Sequence, residues 1–105
     1  MNTILQGTTP KLEIEMPEAI AVDSVLGLEL TFKHNDEVKI VDLSGVKVNT
    51  LTNTFTYHFT EEETLALDPR QPLFWQLRVK TSAGITGTAK AQISVLDLIS
   101  EAVMA

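Results

Sequence analysis

Leu73-Phe74-Trp75-Gln76-Leu77-Arg78-Val79-Lys80-Thr81, then Ser82-Ala83-Gly84, then Ile85 onward to Leu96, is the stretch from which the fold is read. In its first arm Leu73, Trp75, Leu77 and Val79 alternate with Phe74, Gln76, Arg78 and Lys80. A period of two is that of a strand with one buried face. The second arm alternates as well: Ile85, Gly87, Ala89, Ala91, Ile93 and Val95 against Thr86, Thr88, Lys90, Gln92 and Ser94. A three-residue loop ending in glycine suits a hairpin, because glycine enters the left-handed region without a Cβ clash. If Thr81 pairs with Ile85, Leu77 faces Ala89 and Trp75 faces Ala91, so bulky side chains meet small ones. On the outer face Gln76 then meets Lys90, and Arg78 meets Thr88.

Outward from this hairpin, other segments repeat the pattern. Leu12, Ile14 and Met16 alternate with Lys11, Glu13 and Glu15, and Pro17 ends that strand. Ala19 to Val22 is a short apolar strand or turn, followed by a loop at Asp23-Ser24. Val25 to His34 places Leu26, Leu28, Leu30 and Phe32 on the core side. Asn35-Asp36 is turn chemistry. Glu37 to Leu43 returns, with an apolar phase shift between Ile40 and Val41 that suggests a bulge or a twisted edge and leaves the register open. Val46 and Val48 add a short strand. Asn53 to Phe59 alternates Phe55, Tyr57 and Phe59 with Thr54, Thr56 and His58.

Thr60-Glu61-Glu62-Glu63-Thr64-Leu65 breaks the alternation. Thr60 with Glu63 three residues on is a capping box, and acids in a first turn suit the helix dipole. One helical turn is expected here, with Leu65 and Leu67 plugging the end of the core. Asp97 can cap a last short helix from Leu98 to Met104, too short to stand without docking. Together these segments predict one all-β domain over residues 1–105: an antiparallel, immunoglobulin-like β-sandwich of about seven strands, with one short helical turn and a short C-terminal helix. A small closed barrel is the alternative.

The 105 residues suffice for one core, and a 44% apolar and 21% charged composition is that of a globular chain. A net charge of −6 disfavours nucleic acid, whose phosphates would repel it, and the basic residues form no cluster. Without cysteine there is no disulfide or thiolate metal site. No apolar run is long enough to span a membrane, and Met1 to Gln6 lacks the form of a signal peptide. A soluble protein made in the cytoplasm and not exported by the usual route is expected.

Chemistry is sparse. His34, beside a turn, and His58, on an outer strand face, read as surface histidines. Glu61-Glu62-Glu63 reads as helix-start acid, and Glu13, Glu15 and Glu18 as solvated residues; neither group has calcium-loop spacing. There is no Gly-x-Ser-x-Gly and no phosphate loop, so no catalytic residue, cofactor or metal is assigned. Phe74, outward-facing between polar neighbours, is expected to be covered by the Pro69–Pro72 loop or the N-terminal lead-in; the competing reading makes it a partner anchor.

Ile4-Leu5-Gln6-Gly7-Thr8-Thr9-Pro10, Leu30-Thr31-Phe32, Thr60 to Leu65, and Gln76 to Thr81 with Gly84 resemble, in the same order, segments of small tail-associated proteins of phages and prophages of Gram-positive bacteria. The likeness extends to the N-terminal domains of baseplate proteins that carry receptor-binding parts. Near Lys90-Ala91 the chain departs from the Ser-Asn or Thr-Asn pair common in such proteins, and a receptor-binding extension after its last strand is not expected. The resemblance implies a β-sandwich and a non-catalytic structural role, as a tail or baseplate accessory or adaptor acting through protein–protein contacts. Its partners would be other virion tail proteins or further copies of itself, with no nucleic acid and no membrane. It would be located in the virion tail, and in the host cytoplasm before assembly. The lead-in with Gln6 and the tail with Leu98 and Ile99 are the expected docking segments, alongside Phe74. A small carbohydrate- or ligand-binding β-sandwich module ranks second and a small enzyme last.

Overall fold

A computed structural model describes residues 2–88 and 90–97. In it the alternating segments become β1 (Thr3–Leu5), β2 (Lys11–Glu15), β3 (Gly27–His34), β4 (Glu37–Asp42), β5 (Lys47–Asn49), β6 (Thr54–His58), α1 (Glu61–Leu65), β7 (Leu73–Thr81), β8 (Gly84–Gly87) and β9 (Ala91–Leu96). One sheet runs β1-β9-β7-β3-β4, with β8 also paired to β7; the other runs β2-β6-β5. The protein is all-β, and its two sheets share one core. Ile4, Leu30, Leu77, Val79 and Ile93 of the first sheet cluster with Leu12, Ile14 and Phe55 of the second. The sheets end in separate edges, so the closed barrel does not form.

Among the described residues nine strands replace the expected seven or so, and one pair is not antiparallel. The lead-in strand β1 runs parallel to β9, with Ile4 opposite Val95. Ile4 is buried, which is what holds so short a strand in place. The chain leaves β1 at Gly7 (φ 74°), a left-handed residue, and crosses to the second sheet. The expected helix from Leu98 to Met104 lies outside the described residues.

The organising hairpin is present, but its turn is tighter than expected. Thr81 pairs with Gly84, leaving Ser82 and Ala83 as the turn, and Lys80 pairs with Ile85. A shift of one residue turns a strand over, so Ile85 points outward, 66% exposed, where a core position was expected. Gly87 is likewise exposed. Further along, Trp75 does meet Ala91, and Leu73 meets Ile93. The return arm recovers the register by gaining a residue: Arg78 to Trp75 is three steps, and Gly87 to Ala91 is four. Thr88 bridges the irregularity. Its N–H donates to the Leu77 carbonyl (2.8 Å), and its hydroxyl accepts from the Leu77 N–H (3.1 Å). A side chain thus supplies the acceptor the ladder lacks at the bulge. Trp75 is half-buried and packs on the core.

The second hairpin has no bulge. β3 and β4 pair without interruption from His34–Glu37 to Glu29–Asp42 around Asn35 (φ 55°) and Asp36. Of the two readings of the phase shift, the edge holds: β4 is an edge strand. Val41 alone of its residues is buried, while Ile40 faces outward. Leu26, expected in the core, lies just before β3 and is 67% exposed. Ala19 to Val22 forms no strand; Val22–Ser24 is a 3-10 turn.

Two polar residues do much to shape the loops. Asn53 (φ 54°) accepts from the Val22 N–H and donates to the carbonyls of Met16 and Ile20, tying the β2 exit to the start of β6. Thr64, fully buried, donates its hydroxyl to the Thr8 carbonyl at 2.8 Å.

Candidate contact site

The capping box forms as read. Thr60 Oγ1 accepts from the Glu63 N–H, and Glu63 Oε1 accepts from the Thr60 N–H at 2.9 Å. This fixes the Glu63 side chain and aims its second oxygen at the sheet edge. Lys39 faces inward because it pairs with core-facing Phe32. Its Nζ donates to Glu63 Oε2 at 2.5 Å and to Tyr57 Oη at 3.0 Å, and the Tyr57 hydroxyl donates to Glu63 Oε2 at 2.7 Å. Below them Phe32, Tyr57 and Phe59 meet edge to face or tilted, with centroids 5.0–5.3 Å apart.

Burial opposes charge on Glu63, but the bonds from Lys39, Tyr57 and Thr60 outweigh it and hold the carboxyl at about 2. The same bonds, Glu63 first and then Tyr57, raise Lys39, and burial raises Tyr57. A general acid or base works best when its pKa lies near the working pH. Here the charges are locked together, so the cluster acts as a brace between α1 and β4.

Beside it a cleft of about 230 Å³ opens between β4 and the segment after α1. Its floor is Phe32, Phe59, Leu67 and Leu73, with His34 and Glu37 at the side. His34 is not the loose surface residue expected. Nε2 accepts from the Asp68 N–H (2.8 Å), which assigns the proton to Nδ1, and Nδ1 lies 3.3 Å from the Pro72 carbonyl. The imidazole therefore pins the 68–72 loop, and Leu67 from that region packs on the core; Leu65 is only half-buried. Nothing in the sequence spacing pointed to this, because the partners lie 34 and 38 residues away.

Of the expected contact residues, Phe74 and Gln6 lie among the described residues. Phe74 is half-buried, and the cover over its ring is the ammonium of Lys90, 4.6 Å from the centroid, where a proline loop or the lead-in was expected. Gln6 is engaged within the domain: Nε2 donates to the Leu67 carbonyl (2.6 Å) and its N–H to the Leu96 carbonyl (3.1 Å). Leu98 and Ile99 lie outside the described residues. His58 is exposed on β6 across from Lys11, and Glu13, Glu15 and Glu18 are exposed. Among the described residues no three His, Asp or Glu side chains gather as a metal site would require, and no helix is long and apolar enough to cross a membrane.

What sequence reasoning left unresolved is the β4 edge, one of its two readings of the phase shift. Val38 and Ile40 stand on its outer face, 57% and 61% exposed, at the end of the sheet. Their alternation with Lys39 carried the signal, which the sequence leaves divided between a bulge and an edge. No protein-family model matches this chain, and no curated protein matches it.

Proposed function

We propose that the chain is an immunoglobulin-like β-sandwich that serves as a structural protein of a phage or prophage tail, a baseplate accessory or adaptor working through protein–protein contact. No catalysis is assigned to it. The observation that carries the reading is the open β4 edge with Val38 and Ile40 exposed on it. Apolar residues on an unpaired edge are a liability for a free domain and a joint for an assembly. The resemblance of the segments from Ile4 to Gly84 supplies the setting. Its partners are other tail proteins or further copies of itself, met in the host cytoplasm before assembly and in the virion tail after it. The test is mass spectrometry of tail particles purified from a strain carrying the gene, with co-purification against the products of adjoining genes. The chain is expected in the particles in fixed ratio to a tail protein; absence from both preparations overturns the reading.

A ligand-binding module is the second reading, favoured by the apolar cleft over Phe32, Phe59 and Leu73. A glycan array together with a thermal-shift screen of small apolar ligands tests it, and silence in both removes it.

A further inference from the structure

The β3–β4 hairpin closes with His34 opposite Glu37 around two residues. Such a closing pair exchanges both backbone bonds, and bonded pairs alternate from there. Phe32 bonds Lys39 and Leu30 bonds Val41 in this alternation. Val38 and Ile40 fall between, so their N–H and C=O groups point to the open side of the sheet. Edges are often guarded by an inward-pointing charge that pairing would bury. Lys39 is that charge, but its ammonium is already held by Glu63 and Tyr57. Pairing at this edge therefore strands no charge. An open depression of about 420 Å³ runs beside Lys39 to Asp42, bounded by Gly45 and Tyr57.

We propose that β4 pairs antiparallel with β4 of a second copy, with Ile40 opposite Ile40 on the two-fold axis, joining two sheets into one. Charge selects this register. Centring on Lys39 sets ammonium against ammonium, and centring on Val38 runs the pairing into the Asn35–Asp36 turn. Centring on Ile40 sets Lys39 opposite Val41 and Val38 opposite Asp42, with no like charges opposed. The Asp42 carboxylate is already bonded by the Ser44 N–H (3.0 Å) and hydroxyl (2.5 Å). On the outer face Val38 and Ile40 of both copies form one apolar cluster.

The inference deepens the contact reading and rests on it for its setting, but it is tested on purified protein without a virion, so either can fail alone. A contact this small gives a weak dimer. Because each copy carries −6, dimerisation strengthens as salt screens the repulsion. The experiment is sedimentation equilibrium from about 10 μM to about 1 mM, the range a weak interface requires, on wild type and Ile40→Lys. Alongside it, Ile40→Cys and Val48→Cys are oxidised separately; the chain has no other cysteine. The mass is expected to rise toward a dimer with concentration and with salt. Ile40→Lys should raise the dissociation constant by ~100-fold, from an unpaired charge at each side of the axis, with the urea midpoint unchanged. Ile40→Cys should give a covalent dimer of native circular dichroism, and Val48→Cys, on the other sheet's edge, should not. A wild type that stays monomeric throughout, a dimer indifferent to Ile40→Lys, or equal crosslinking at Val48 overturns the proposal.

Discussion

Replacing Asn53 separates what its side chain does from what its backbone does. Its carboxamide oxygen accepts from the Val22 N–H at 2.9 Å, and its NH₂ reaches the carbonyls of Ile20 (3.0 Å), Met16 (3.1 Å) and Pro17 (3.3 Å). Two hydrogens serve two of those carbonyls well, so three good bonds are at stake. At about 1 kcal/mol each, less where water can substitute, their loss costs about 2–3 kcal/mol. The backbone adds a second cost, since Asn53 sits at φ 54°. Alanine there pays a further ~1 kcal/mol, which glycine avoids. Asn53→Ala should therefore destabilise by about 3–4 kcal/mol and Asn53→Gly by about 2–3 kcal/mol. Asn53→Asp tolerates the dihedral but turns an oxygen toward the three carbonyls, and should cost at least as much as glycine. Urea unfolding at neutral pH, with a shared slope across the variants, measures all three. The reasoning is refuted if alanine is no worse than glycine, or if every variant lies within about 0.5 kcal/mol of wild type.

Other residues make separate predictions. Glu63 is charged in the fold down to about 2, against an ordinary 4.5; its contribution is full above the ordinary value and lost as pH falls toward 2. Wild type should thus lose about 1–2 kcal/mol across that acid range after allowance for solvent, while Glu63→Gln starts lower and shows a flatter profile in urea melts at stepped pH. Gly45→Ala places a Cβ 2.5 Å from Cγ1 of buried Val41. The clash should cost about 1–2 kcal/mol, and the double variant with Val41→Ala should recover part of that; additive losses would refute the clash. His34→Ala should speed amide exchange at Asp68 by tenfold or more, for a bond worth about 1–2 kcal/mol, and unchanged exchange would show that the loop is held elsewhere.

Much of the fold was legible because one-face burial writes itself into a chain with period two. β2, β3, β6 and β7 appear where alternation placed them, and the capping box at Thr60 and Glu63 appears as spelled. Trp75 meets Ala91 as expected, yet Ile85 does not meet Thr81. Alternation shows which residues share a face but not how many turn residues a hairpin uses, nor where a bulge repays the difference. The cover of Phe74 was not legible for a related reason. Phe74 stood out as an aromatic among polar neighbours, but Lys90 had to fold back before its cover was known. Val38 and Ile40 fitted either a bulge or an edge, because an edge strand needs few buried side chains to stay paired.

The sequence by itself determined the all-β class, most core-facing residues of the long strands and the helical corner. These are local, carried by neighbours within a few residues. Only the tertiary structure decided that the lead-in runs parallel to β9, that Asn53 and His34 tie loops more than thirty residues away, and that β4 is an edge. Those depend on which strands come to lie side by side. That outcome is set by burying one shared core, and no single segment carries it.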